Sequence, residues 1–170
     1  MTLNPKGRGA ARAAVALAVA LGGLASMVNA SRAGTVSPQT QELLQSSSYI
    51  YTATERKDGG ISESVPIWFM WDGEKVFFTT SPDSWKAKRI ARGSPVIINV
   101  GSKNGPKLVG KATKVTDPAV IERMGQAYND KYWIAWLGFF KPRSNRVDDG
   151  KTYAYEVALE ATEPPQKKNA

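Results

Sequence analysis

Two apolar runs meet at a single Asp72-Gly73 pair, and that pair limits what this chain can become. Before it stand Val65-Pro66-Ile67-Trp68-Phe69-Met70-Trp71, and after it stand Lys75-Val76-Phe77-Phe78-Thr79-Thr80. Asp-Gly favours a tight hairpin turn, because both residues tolerate the positive φ such a turn needs. The flanking runs are rich in β-branched and aromatic residues, so the segment predicts an antiparallel hairpin with strands over 61–71 and 74–80. Pro66 cannot donate to a ladder, which confines the first strand to a sheet edge or a bulge. Strand alternation puts Ile67, Phe69 and Trp71 on one face and Trp68 and Met70 on the other.

The rest of the chain extends this pattern. Ser84 stands at the N-cap position of a short helix and Gly93 at its end. Ala87, Ile90 and Ala91 recur at helical spacing and form its buried face. Lys86 and Arg89 share one flank of that helix, while Trp85, Lys88 and Arg92 share the other. Residues 40–47 predict a helix and 49–54 a strand. Further strands fall over 96–100, 108–115 and 152–160, with a second tight turn at Asn104-Gly105. Asp117-Pro118 caps and opens a helix that runs to about residue 129. The expected fold is mainly β: about six antiparallel strands in a small barrel with roughly two or three short peripheral helices.

Composition removes several kinds of chemistry. The chain has no histidine and no cysteine. It therefore lacks disulfides, thiol nucleophiles, the usual general base and the usual metal ligands, and no metal site is expected. Lys6, Arg8 and Arg12 precede an uncharged apolar stretch that closes on Val28-Asn29-Ala30. That order predicts a secretory signal peptide or N-terminal anchor over 1–30, and an exported, periplasmic or extracellular domain. Those residues hold three of the 23 basic and none of the 15 acidic residues, so the formal charge of +8 falls to +5 without them. So mild an excess does not predict a nucleic-acid partner. Membrane contact is expected only through an uncleaved N-terminal segment. Residues 31–47 read as a linker with a short helix, 48–160 as the domain, and 161–170 as a flexible tail.

One constellation carries chemistry. Thr79 and Thr80 end a strand, and Ser84, Lys86 and Arg89 follow on the next helix. Hydroxyls and cations gathered at a strand end and helix start suit a phosphate. The aromatic strand beside them could carry a flat heterocycle on its backbone. The aromatic block 132–140 predicts packing on the barrel or across a subunit interface, with Trp136 or Phe139 as alternative pocket walls. Tyr128 and Tyr132 are candidate proton relays.

The order P-I-W-F-x-W-D-G at 66–73, V-F-F-T-T at 76–80, S-x-K-A-K-R-I at 84–90 and S-P-V at 94–96 resembles the pyridoxamine 5'-phosphate oxidase-like family and its flavin- and deazaflavin-dependent relatives. The resemblance spans residues 48–160. It implies the FMN-binding split barrel and a homodimer with cofactor sites at the subunit interface. It also implies that Pro66, Ile67 and Trp68 line the ring system, that Thr79 and Thr80 sit at the ribityl-phosphate end, and that Ser84, Lys86 and Arg89 hold the phosphate. Trp85 occupies the place of an arginine that flavin oxidases of the family often carry, and the Lys-x-Lys-Arg form resembles the deazaflavin-using branch. The implied activity is an FMN- or deazaflavin-dependent oxidoreductase acting on a small organic substrate. The alternative is a non-catalytic exported barrel that holds a flavin, haem or other tetrapyrrole.

Overall fold

The chain runs through seven strands and four helices in the residues the structure describes, 36–132 and 141–160 of a computed structural model. The expected export segment, most of the linker, the aromatic block beyond Tyr132 and the tail lie outside those residues. The first helix, α1 (Pro38–Ser46), is capped by the Ser37 hydroxyl, which accepts from the Thr40 N–H. Strands β1 (Ile50–Thr54), β2 (Val65–Ile67), β3 (Phe69–Trp71) and β4 (Lys75–Thr80) follow. Helix α2 (Trp85–Ala91) leads to β5 (Val96–Val100) and β6 (Lys107–Val115). Helices α3 (Pro118–Lys131) and α4 (Ser144–Asp148) precede β7 (Tyr153–Leu159).

All strand pairs are antiparallel, in the order β2-β1-β5-β6-β7-β4-β3. β2 and β3 stand at opposite edges of the sheet, yet only Trp68 separates them in the chain. The sheet thus closes on itself through one residue, which makes it a split barrel. The single strand expected over 61–71 is therefore corrected to two short strands, and the count rises from six to seven. Ahead of β2, Ile61 contributes only a bridge to Glu55. Pro66 lies in β2 at the sheet edge, the position a residue without an N–H can occupy.

Two phenols fasten the crossing. The Tyr128 hydroxyl donates to the Trp68 carbonyl at 2.9 Å. The Phe69 N–H donates to the Tyr132 oxygen at 3.1 Å, and that hydroxyl lies 3.3 Å from the Phe69 carbonyl. Trp68 stacks on Tyr132 with 4.3 Å between centroids and 5° between planes, and meets Tyr128 edge-on at 5.9 Å.

The expected alternation is borne out. Phe69, with Ile67 and Trp71 beside it, joins the barrel core built around Ile50, Phe78, Ile98 and Val157. Met70, with Trp68 beside it, joins a second core against Ile121, Met124 and Tyr128 of α3 and Val147 of α4. Asp117 caps α3 by accepting from the Ala119 N–H at 2.8 Å, and Pro118 opens it as expected.

Three local expectations are corrected. Ala91 is exposed, so Ala87 and Ile90 alone form the buried face of α2. The β5–β6 reversal is longer than an Asn104-Gly105 turn. It bends at Gly101, whose φ of 74° favours glycine, and then through a Ser102–Gly105 turn in which the Gly105 N–H donates to the Ser102 carbonyl. Helix α4 stands where the sequence, with Pro142 ahead and Asp148-Asp149-Gly150 behind, reads as a loop and a turn.

The crossing yields a first prediction. Tyr132→Phe should leave the buried Phe69 N–H without its partner and lower stability by about 1–3 kcal/mol. Urea unfolding measures it, with Tyr49→Phe, at a half-exposed position, as the control expected to unfold like the parent.

Candidate functional site

Two clefts meet along the end of β4. The first, of about 320 Å³, is lined by Tyr49, Pro66, Ile67, Trp68, Thr79 and Tyr128. The second, of about 370 Å³, takes in Val65, Thr80, Ser84, Lys86 and Arg89, with Thr52 and Thr54 of β1. The eight residues singled out in the sequence divide evenly between them. Pro66, Ile67, Trp68 and Thr79 line the aromatic cleft, while Thr80, Ser84, Lys86 and Arg89 line the cationic one. The clefts adjoin where Thr79 follows into Thr80 and Val65 into Pro66.

Local structure explains the cationic half. Ser84 caps α2 by accepting from the Ala87 N–H at 3.1 Å, and its hydroxyl also lies 3.1 Å from that of Thr80. This fixes the start of a helix only seven residues long. With Ala87 and Ile90 turned to the core, Lys86 and Arg89 lean over β1. The Lys86 ammonium donates to the Thr52 hydroxyl, and Arg89 Nη1 reaches the Thr54 hydroxyl at 3.4 Å. Thr52 and Thr54 are themselves buried. Sequence reasoning missed them because threonines two apart in a strand look like ordinary strand formers. Their shared face is the signal that could have found them.

The electrostatics of this half are unbalanced. Among the described residues neither Lys86 nor Arg89 forms an ion pair. Glu63, also on the cleft wall, is largely exposed and lies 3.8 Å from Lys103. Burial pushes the Lys86 ammonium down from 10.5 to about 8. A desolvated cation faced by neutral hydroxyls is a poor arrangement for the empty protein and a good one for an anion.

The aromatic half is different in kind. Tyr128 is buried, and that burial, reinforced by Tyr132, raises its phenol far above the ordinary value, with Thr79 only partly opposing the rise. Burial likewise pushes Tyr132 up to about 12. Both stay protonated and serve as hydrogen-bond donors that hold the Trp68–Phe69 backbone, which makes them poor proton relays. Sequence reasoning also missed Tyr49 as a wall of this cleft. Arg143 and Arg146, at and within α4, line neither cleft. Among the described residues no group of three or more acidic side chains gathers to hold a metal.

The sequence matches the pyridoxamine 5'-phosphate oxidase family over residues 36–162. The chain belongs to this family. Among solved structures, an F420 reductase is similar at 25% identity and a TM-score of 0.53, over 71% of this chain and 93% of that one. A candidate 5-nitroimidazole antibiotic resistance protein from Bacteroides thetaiotaomicron is similar at 11% identity and a TM-score of 0.56, over 74% and 81%. A candidate pyridoxamine 5'-phosphate oxidase from Listeria innocua is similar at 16% identity and a TM-score of 0.54, over 72% and 91%. At such identities the last two share the fold alone. No match is found among curated protein sequences. Within the pyridoxamine 5'-phosphate oxidase family, this is a split-barrel protein related to flavin- and deazaflavin-using enzymes.

The shifted groups set a pH profile. Burial lowers Lys86 and Lys131 from 10.5 to about 8, so the unfolded chain holds more protons between those values. Stability from these lysines is present above about pH 10.5 and is lost as pH falls towards 8. Tyr132 acts in the opposite sense: its ordinary value is 10.0, and stability is lost as pH rises from there towards about 12. Urea midpoints should therefore rise between pH 8 and about 10 and decline beyond. Lys86→Met should flatten the rise, by at most about 3 kcal/mol.

Proposed function

We propose that this protein is an oxidoreductase that binds a phosphorylated flavin, FMN or its deazaflavin counterpart, with the ring in the aromatic cleft and the phosphate in the cationic one. The observation that carries the reading is Lys86: a desolvated ammonium beside Arg89, with the Thr52 and Thr54 hydroxyls against the two cations and no carboxylate partner among the described residues. Bringing a phosphate there satisfies both cations at once. Lys86 and Arg89 would donate charge-assisted hydrogen bonds, which are about twice as strong as neutral ones. Ser84 and Thr80 would add hydroxyl donors. The residues present therefore fit the group that the family implies.

The other half fits a planar ring. Ile67, Trp68 and Tyr49 supply flat and apolar surface, with the backbone of Pro66–Trp68 running beside it. Tyr128 and Tyr132 hold that backbone in place from behind. A bound flavin or deazaflavin would supply the hydride chemistry; the chain's own residues bind, orient and exclude water. This division suits a protein without histidine or cysteine. The similarity to an F420 reductase at 25% identity favours a deazaflavin, while the family as a whole favours FMN. We further read the protein as a homodimer with the cofactor between subunits, acting on a small organic substrate after export by residues 1–30.

Titration of the purified protein with FMN, riboflavin and a phosphorylated deazaflavin, followed by absorbance and fluorescence, tests the reading. Lys86→Ala should weaken FMN binding at least about tenfold, the loss expected of one charge-assisted hydrogen bond to a phosphate. Riboflavin, which lacks the phosphate, should be bound nearly as before. A protein that takes up none of the three would sink the proposal, and equal losses for FMN and riboflavin would sink the phosphate assignment.

A further inference from the structure

Helix α2 has two cationic flanks, and the phosphate reading uses one of them. Lys86 and Arg89 lean over β1 towards Thr52 and Thr54. Trp85, Lys88 and Arg92 fall on the other flank, at the spacing of one helix stripe, and all three are exposed. A third cleft, of about 300 Å³, opens beside this flank and is lined by Arg56, Lys57, Asp58, Trp85, Arg89 and Arg92. Setting Arg89 aside for the first flank leaves Arg56, Lys57, Lys88 and Arg92, and none of these forms an ion pair among the described residues. Asp58 is engaged in its own turn, where it accepts from the Gly60 N–H at 3.0 Å. Asp83, ahead of α2, is exposed and does not line the cleft.

Trp85 is the second half of the observation. It is 67% exposed, the most open large apolar side chain among the described residues, and the one apolar member of this cleft. The Lys88 ammonium lies 5.3 Å from the centroid of its ring. A lone exposed tryptophan needs no explanation; one ringed by unpaired cations does. An indole is at home at the headgroup level of a bilayer, where its apolar body and polar N–H are both satisfied. Lysines and arginines around it meet the phosphates of anionic lipids there. A protein partner would call for a core of several apolar side chains, and a nucleic-acid strand for successive aromatic platforms. The cleft offers one indole among cations, which fits a lipid surface best.

We propose that the outer flank of α2, with the turn after β1, docks on an anionic phospholipid surface, a headgroup phosphate entering the third cleft and the Trp85 indole lying at headgroup depth. The occupant is the bilayer, and its charge complements Arg56, Lys57, Lys88 and Arg92. The flavin reading is not required, since neither Lys86 nor Arg89 takes part. The membrane contact expected of residues 1–30 is thereby joined by one that belongs to the folded domain.

Sedimentation of the full chain with vesicles tests the proposal. Vesicles of equal parts phosphatidylcholine and phosphatidylglycerol should bind it at least about tenfold more tightly than phosphatidylcholine alone, and added salt should erase the difference. Lys57→Gln with Arg92→Gln, at two positions that line the third cleft alone, should cost about tenfold or more on the anionic vesicles, since each basic residue near such a surface contributes about fivefold. Trp85→Ala should weaken the same binding several-fold. These side chains are exposed, so the substitutions spare the fold, and an unchanged urea midpoint checks this. Anionic-vesicle binding that survives both variants would overturn the proposal and assign the membrane affinity to residues 1–30. Capture of polyglutamate by a chain that ignores the vesicles would overturn it in favour of an acidic protein. Glycerol phosphate bound as tightly as the vesicles would overturn the surface in favour of a soluble anion.

Discussion

Everything in this protein hangs on how the chain gets from one edge of its sheet to the other within one residue. β2 ends at Ile67 and β3 begins at Phe69, at opposite edges of the same sheet. An edge strand normally leaves backbone groups to water. Here Tyr128 and Tyr132 take them instead, one hydroxyl on the Trp68 carbonyl and the other on Phe69. Both phenols come from the end of α3, one turn apart, and burial keeps both protonated. Closing the barrel and building the aromatic cleft are therefore one event. The crossing brings Ile67 and Trp68, on opposite faces of the strand, to the wall of the same cleft.

The cationic cleft follows from a different compromise. Ala87 and Ile90 tie α2 to the core, and the helix repeat then has no choice but to swing Lys86 and Arg89 across β1. Their targets are neutral threonines. A carboxylate at either position would relieve the desolvated ammonium and would also fill the place an anion needs. The protein thus carries an electrostatic cost at this helix, and relief of that cost would be the physical basis for the proposed binding of an anion. Lys131 shows the contrast. It is also partly desolvated, but it lies 3.6 Å from the centroid of the Phe69 ring, where Lys86 stands 5.5 Å from that of Phe78, and it reaches the Leu44 carbonyl, so its charge is spent on joining α3 to α1 and to the crossing.

Much of this was legible in the sequence wherever the cause is local. Asp72-Gly73 closes the β3–β4 hairpin, and the Asp72 carboxylate accepts from the Glu74 and Lys75 N–H groups. Ser84 and Asp117 cap the helices they were expected to cap. What stayed hidden depends on distant partners. The alternation of Ile67, Phe69 and Trp71 runs unbroken through Trp68, so nothing local marks the break between β2 and β3; its cause lies sixty residues on, in α3. Thr52 and Thr54 acquire their role only when α2 lies over them. Helix α4 has no side-chain cap and buries Val147 alone, which leaves no periodic signal to find.

The boundary between the two halves of the site falls inside a single dipeptide, Thr79-Thr80, and this has a consequence for selectivity. On the proposed reading the aromatic cleft would recognise its ligand through shape and stacking, which discriminate weakly between related planar rings. The cationic cleft would recognise charge, which discriminates strongly between a phosphorylated ligand and its neutral parent. A barrel of this kind can change its ring chemistry by altering Tyr49, Ile67 or Trp68 while keeping the same phosphate anchor on α2. The anchor is the more constrained half, since α2 has just two buried contacts to orient it. On that reading residues of α2 would report on which phosphate-bearing group is held, and residues of the crossing on which ring. Trp85, on α2, lies at the rim of the cationic cleft and outside the aromatic one, and its exposure beside Arg89 is the part of this site that the phosphate alone does not account for.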